Sequence, residues 1–237
     1  MSKQINKKKR EARAEKEENA LEHIEGALTS SEQFIEKNQK RIVNIILILI
    51  VIVGAYFLYH SYVEVPKGKE ANTQIVGAQN YFERDSFKLA LNGDGNLLGF
   101  KDIADKYSST NAGNLANYYA GICCLNMNQY KEAITYLKNF SSDDLLLSTF
   151  AYSNTGDAYM QLKDYKNAAS YYNKAASNNV NNFTTPIVLM KSALALEKLN
   201  DYKGALKIYN KIDIDYPDTM EARNIEKYIT RAKLNIK

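Results

Sequence analysis

The sequence predicts an all-α fold: a single N-terminal transmembrane helix followed by a solenoid of helical hairpins. The first observation is a five-residue word that recurs as Gln129–Ala133, Asp164–Ala168 and Asp201–Ala205, with its alanines 35 and 37 residues apart. Solenoids of two-helix repeats have a period of about 34 residues. The second observation is a long uncharged aliphatic stretch, and the third is a composition with three prolines and no tryptophan in 237 residues. Such a composition contains few helix breakers.

Residues 1–41 are predicted to form a charged cytoplasmic tail. They combine ten Lys and Arg with eight Glu, and seven of the basic residues fall within the first sixteen positions. Basic segments beside a membrane span are retained on the cytoplasmic side. We therefore expect the N-terminus to lie in the cytoplasm and the C-terminal domain, residues 63–237, to lie across the membrane.

The segment from Ile42 to Tyr62 is predicted to span the membrane. Between Ile42 and Leu58 it contains thirteen Ile, Val, Leu or Phe residues in seventeen and no charge. Residues of these types favour insertion by about 0.3–0.6 kcal/mol each, which is roughly 4–8 kcal/mol in total. Because 41 residues precede it, the segment is expected to be an uncleaved signal anchor rather than a removed signal peptide.

The residues around the recurring word resemble the tetratricopeptide (TPR) pattern. Three copies can be superimposed, at about residues 114–140, 148–178 and 185–217. Small residues recur where two helices must approach within about 8–10 Å, and Tyr and Leu fill the space between repeats. The positions predicted to make these close helix contacts are Gly121, Ala133, Gly156, Ala168, Ala193 and Ala205.

Two further elements are predicted at the ends of the repeats. A cap hairpin over residues 69–107 would pair a helix from Lys69 to Leu91 with a second helix from Gly99 to Tyr107. A closing helix over residues 218–236 would place Ile225, Tyr228, Ile229 and Ala232 against the stack.

The loop within the cap hairpin, Asn92–Asn96, alternates Asn and Asp as a calcium loop does. The glycine that such a loop requires is replaced by Leu97, and its bidentate glutamate by Ile103. We therefore expect a connector between helices, without a metal.

No catalytic or cofactor site is predicted. The histidines are His23 in the tail and His60 at the membrane edge, and no nucleotide-binding or zinc-ligand spacing occurs. Cys123 and Cys124 are neighbours that point about 100° apart on a helix, so they suit packing better than a disulfide or a reactive pair. The 31 basic and 27 acidic residues are intermixed, which disfavours nucleic-acid binding.

A protein-binding surface is predicted on the first helices of the repeats, which line the concave side in TPR architecture. The surface is mostly apolar, with some polar residues and few charges. Some TPR proteins bind a terminal carboxylate through Lys and Asn residues on this surface, and those residues are absent here. Such a surface suits an apolar segment or a partner helix. The alternative is that the closing helix covers part of it. The predicted partner-binding residues are Tyr118, Ile122, Leu125, Ser153, Asp157, Met160, Met190, Leu194 and Glu197.

The order of parts resembles that of bacterial inner-membrane TPR proteins related to the ancillary subunit of the SecYEG translocon, in a Bacteroidetes-like form. The segments that carry this resemblance are Glu32–Asn38, Ala90–Asn96 and Asn114–Gly121. The resemblance implies a non-enzymatic inner-membrane protein with a periplasmic domain. It would act beside the Sec translocon, with exported chains and periplasmic chaperones as partners. The alternative function is a TPR scaffold for another envelope complex, such as a secretion or cell-wall assembly.

Overall fold

The computed structural model describes residues 34–35 and 37–236. Most of the predicted tail, including His23 and the basic residues near the N-terminus, lies outside the described residues. The contacts between Cα atoms divide the chain into two compact units, Met1–Tyr62 and Val63–Lys237. Each unit is described by itself below.

In the first unit, helix α1 covers residues 37–59. Every Ile, Val and Leu from Ile45 to Val53 is between 50% and 69% exposed. By length and composition, one helical run in the described part of the chain could cross a membrane; it begins at Lys37, and no residue of its most apolar window is buried. Such exposure distinguishes this stretch from a core helix, which is apolar but covered.

The second unit is helical, and no strand occurs in residues 37–236. The predicted all-α fold class is therefore confirmed over the described part of the chain. A π-helical turn, His60–Glu64, precedes the helices of this unit, and a 3-10 turn, Ala222–Asn224, precedes the last of them. The α-helices are α2 Val65–Phe82, α3 Phe87–Asn92, α4 Phe100–Lys106, α5 Asn111–Asn126, α6 Tyr130–Asn139, α7 Leu145–Gln161, α8 Tyr165–Asn178, α9 Thr185–Lys198, α10 Tyr202–Asp215 and α11 Ile225–Asn235.

The same turn joins the helices of four successive hairpins, α2–α3, α5–α6, α7–α8 and α9–α10. In each, one non-glycine residue has a left-handed backbone, and the next N–H donates to the carbonyl five residues earlier at 2.8–2.9 Å. This pairing satisfies a carbonyl that the end of the first helix would otherwise leave unpaired. The left-handed residues are Asp85, Asn128, Lys163 and Asn200, with φ of 54°, 60°, 61° and 61°.

The recurring word encodes the start of each second helix. Its aspartate is the N-cap: Asp164 accepts from the Asn167 N–H at 3.2 Å, and Asp201 accepts from the Gly204 N–H at 2.8 Å. Its tyrosine is the first helical residue, and its alanine is fully buried in every copy. The aspartate, tyrosine and alanine of the word thus each have a physical role in the turn or in the contact behind it.

The N-terminal hairpin differs from the predicted helix Lys69–Leu91. That stretch is broken at residues 83–86, where Ser86–Ala90 repeat the recurring word with phenylalanine in place of tyrosine. The second helix of this hairpin is itself split into α3 and α4 by the loop of residues 93–99. The buried residues Phe100, Ile103 and Tyr107 of this region then have the same spacing as Tyr209, Ile212 and Tyr216 in the last hairpin.

The loop that splits this helix is held by Asp94. Its carboxylate accepts from the backbone N–H groups of Asn96 and Leu97 at 2.9 and 2.7 Å, and from the Tyr81 hydroxyl at 2.7 Å. These donors hold the pKa of Asp94 below its usual value, the Leu97 N–H most strongly. Gly93 has φ of +76°, and a Cβ there would collide with the Leu97 carbonyl oxygen, so this position requires glycine.

The core of the second unit consists of three clusters of buried residues that follow one another along the chain. The first is formed mainly by α2 to α6, the second by α8 with Ala195, and the third by α8 to α11. In α11, Ile225, Ile229 and Ala232 are buried against the third cluster, and Tyr228 packs at its edge. The positions predicted to make close helix contacts, Gly121, Ala133, Gly156, Ala168, Ala193 and Ala205, are all buried.

Candidate functional site

One face of α5, α7 and α9, which we call the first-helix face, carries the nine predicted partner-binding residues. On α7 it is formed by residues spaced three or four apart, which lie on the same side of a helix. The structure places Ser153 in the interior, 6% exposed, and leaves the other eight half-buried. None of the nine is an exposed residue, so this central part of the face offers limited free surface.

The apolar residues in the centre of the face are engaged by their neighbours. The Tyr118 ring lies 5.8 Å from the Tyr119 ring and 5.3 Å from the Phe140 ring, between centroids. Leu125, Met160 and Met190 pack against the first, second and third core clusters. Burial raises the pKa of the Tyr118 hydroxyl, because the phenolate would lose its hydration.

Asp157 ties together three helices at the centre of the face. Its carboxylate accepts from the Lys191 ammonium of α9 at 2.8 and 2.9 Å, and from the Tyr172 hydroxyl of α8 at 2.7 Å. The lysine also lies 5.8 Å from the centre of the Tyr172 ring. Burial and the nearby carboxylate both raise the pKa of Tyr172, with burial the larger cause. Asp157 therefore holds adjacent repeats together, and both of its carboxylate oxygens already accept hydrogen bonds.

Glu197 makes the corresponding link from α9 to α11. Its carboxylate accepts two hydrogen bonds from the Arg231 guanidinium, at 2.6 and 3.2 Å. The fully buried Tyr209 lies close to this pair, and among the buried side-chain oxygens and nitrogens of the described residues its hydroxyl alone makes no hydrogen bond. The closing helix α11 thus contacts the part of the first-helix face that lies on α9. This agrees with the alternative that the closing helix covers part of the predicted binding surface.

The exposed part of the first-helix face lies at the N-terminal ends of α7 and α9. Leu146 and Phe150 are 43% and 38% exposed, and Phe183 and Ile187 are 71% and 38% exposed. The second pair follows the first by 37 residues, the same offset that relates Gly156 to Ala193. These four residues, which we call the apolar edge, are absent from the sequence prediction, although their recurrence at the repeat offset is visible in it.

The backbone that carries the apolar edge is fixed by local hydrogen bonds. Asp144 caps α7, accepting from the N–H groups of Leu146 and Leu147 at 2.8 and 3.0 Å. Before α9, Asn181 accepts from the N–H groups of Phe183 and Thr184 at 2.8 and 2.7 Å. Exposed apolar side chains on a fixed backbone lose little backbone entropy when a partner covers them.

The cysteines that the sequence analysis assigns to packing are buried in α5. Burial raises the pKa of Cys123 to about 12 and that of Cys124 to about 11. Both thiols are therefore protonated at neutral pH and are poor nucleophiles. No group of three or more His, Cys, Asp or Glu side chains suited to a metal ion occurs in the described part of the chain.

The comparisons with known proteins concern the same repeats. Residues 149–182 and residues 188–219 each match the tetratricopeptide repeat family. No curated protein matches the sequence. Among solved structures, the fold is similar to the crystal structure of a Podosopora anserina protein assigned as a kinesin light chain, with nearly identical TPR-like repeats. The TM-score is 0.53 at 10% identity, over 71% of this chain and 87% of that one. Such a likeness shows the fold alone, and together these matches identify the chain as an all-helical protein that carries tetratricopeptide repeats.

Proposed function

We propose that this protein is a membrane-tethered module that binds other polypeptides along its first-helix face. TPR repeats indicate a protein–protein interaction module. The observation that supports this particular surface is the apolar edge, where two consecutive repeats expose large apolar side chains at equivalent positions. Recurring apolar anchors on adjacent helices suit a chain or helix laid across them.

The nine predicted residues have a defined place in this proposal. The apolar edge meets the partner first, and Tyr118, Met160 and Met190 form the half-buried floor beside it. Methionine side chains adapt to different partner shapes without a large energetic cost. The polar residues Asp157 and Glu197 act mainly on the geometry of the face, since their carboxylates are already engaged by Lys191 and Arg231.

The tether in this proposal is the segment from Ile42 to Tyr62. The exposure of its aliphatic side chains supports a lipid environment, because so large an uncovered apolar surface is unfavourable in water. The N-terminus would lie in the cytoplasm and Val63–Lys237 in the periplasm of a bacterium, with the protein in the inner membrane. A protease added to spheroplasts should then digest the C-terminal unit and leave the tail intact. Protection of the C-terminal unit would refute this orientation.

The assembly that we propose is the Sec translocon, with the protein as an accessory subunit that receives exported chains or passes them to periplasmic chaperones. Two features support this assignment. One is the resemblance to the ancillary translocon subunit, and the other is an apolar first-helix face that can bind segments of different shape. Binding would be reversible and would need no nucleotide or cofactor.

Site-specific photo-crosslinking in intact cells tests this function. A photoreactive residue is placed at Phe150, Tyr118 or Met160, and the matched control carries it at Lys166, an exposed position on the second helix α8. We expect the Sec channel or several different exported chains to be captured from the first three positions and not from Lys166. Capture of one folded envelope protein instead would favour a scaffold of another envelope complex. Equal capture from Lys166 would contradict binding by the first-helix face.

A further inference from the structure

The apolar edge continues into a cleft at the last repeat. The cleft has a volume of about 490 Å³ and lies between the start of α9 and the connection from α10 to α11. Phe183 and Ile187 line one side of it, and Met220, which is 76% exposed, lines the other. Three large apolar side chains therefore converge on one surface depression of the described structure.

The rim of this cleft is acidic. Asp215, Asp218 and Glu221 are among its lining residues, and no Lys or Arg is. Asp215 is paired with Lys211 at 2.5 Å, whereas Asp218 and Glu221 have no ion-pair partner in the described residues. The carboxylates thus create a negative field over an apolar floor, in a chain whose formal net charge is +4.

Acidic residues also line clefts beside α7. Two clefts there, of about 780 and 290 Å³, are lined by the loop between α6 and α7, which contains Asp143. Neither has a Lys or Arg among its lining residues, and Leu145 and Leu147 contribute apolar surface to them. Neither of these two clefts includes Leu146 or Phe150, so among the three clefts it is the one at the last repeat that joins an acidic rim to the apolar edge.

We propose that the cleft of Phe183, Ile187 and Met220 binds a segment of a partner polypeptide that carries large apolar side chains together with Lys or Arg. The apolar side chains of the segment would cover the floor, and its cations would lie over Asp218 and Glu221. This inference rests on the proposed function and specifies the chemistry of the partner. Complementary charge at the rim of an apolar site selects among partners and speeds their association.

A peptide array tests the proposal with the full chain in an uncharged detergent. The probes are short synthetic peptides that share one apolar pattern and differ only in net charge, from strongly acidic through neutral to strongly basic. We expect binding to increase with positive charge. The double substitution Asp218→Lys with Glu221→Lys should weaken binding of the basic peptides by about tenfold or more and improve binding of the acidic ones. Phe183→Ser should weaken binding of the basic peptides without reversing the charge preference.

The matched control is Asp105→Lys with Asp213→Lys, which changes the net charge equally at two exposed acids outside the cleft. It should bind the peptides as the unmodified chain does, and thermal unfolding of every variant verifies that the fold is retained. Equal weakening by the control, or binding that follows apolar content alone, would overturn the proposal.

A second copy of the chain as the occupant would also overturn the proposal. That outcome is shown if Phe183→Ser dissociates a dimer in sedimentation. Crosslinks from Phe150 that persist while the basic peptides fail to bind would refute the partner chemistry and leave the proposed function standing.

Discussion

A single methyl group added at Gly156 should destabilise the repeat domain. A Cβ at this position would lie 2.6 Å from Cε1 and 2.7 Å from Cδ1 of Tyr172, closer than nonbonded carbon atoms approach. The tyrosine ring has little freedom to move, since the residue is 2% exposed and its hydroxyl is bonded to Asp157 at 2.7 Å. Gly156→Ala must therefore displace the ring, the helix or both.

The expected loss is the difference between two terms. Overpacking of a well-packed core costs about 1–3 kcal/mol. Replacing glycine by alanine inside a helix recovers about 0.5–1 kcal/mol. The central values of these two ranges leave a net cost of about 1 kcal/mol, and for a unit the size of Val63–Lys237 each kcal/mol lowers the Tm by about 2–4 °C.

The control is Gly68→Ala in α2, where no neighbouring atom lies within 4 Å of the added Cβ. It has the propensity gain without the collision, so its Tm should rise by about 1–4 °C. Thermal unfolding of the full chain in detergent, followed by circular dichroism at the helical band, measures both variants. The proposed collision is refuted if Gly156→Ala unfolds at the same temperature as the unmodified chain or above it.

Asp157→Ala should lower the free energy of unfolding by about 1–3 kcal/mol, because the buried Tyr172 hydroxyl loses its acceptor; denaturant titration that shows no change would contradict this role. Lys163→Gly should raise the free energy of unfolding by about 1 kcal/mol, since glycine adopts φ of +61° without strain, and the same titration tests it. Cys123 and Cys124 should resist a thiol reagent at pH 8 until the protein unfolds. Reaction of the folded protein at pH 8 would contradict their burial. Folding raises both pKa values from 9.0, to about 12 for Cys123 and about 11 for Cys124. The protonated thiols therefore contribute fully to the free energy of unfolding below pH 9, and this contribution is lost as the pH rises toward 11–12.

The second and third repeats were the most predictable part of the fold, because the structural features of each hairpin are determined by residues close together in the sequence. The word Asp164–Ala168 contains an N-cap, a first helical residue and a buried contact, and Asp201–Ala205 repeats all three. In the N-terminal hairpin, predicted as a cap over residues 69–107, the helix bounds differ from the prediction for a local reason as well. Ser86 replaces the usual aspartate and Phe87 the tyrosine, and the loop of residues 93–99 separates α3 from the helix that completes the repeat.

The candidate site was harder to predict than the fold. Helical register places Ser153 and Asp157 on the first-helix face. It does not reveal that Ser153 is buried or that Asp157 forms an ion pair with Lys191. Those facts depend on how far neighbouring helices overlap. The exposure of Phe183 depends likewise on a turn fixed by Asn181, whose role is visible only once the backbone is known.

The succession of three core clusters along the chain has a consequence for how this protein ages and is degraded. Helices at the two termini of the repeat unit share no buried cluster, so stability lost in one cluster is transmitted only in part to the others. An oxidised or mistranslated residue near α11 would loosen the last hairpin while α2 to α6 kept their shape. Proteolysis would then proceed hairpin by hairpin from the damaged terminus instead of by collapse of the whole domain.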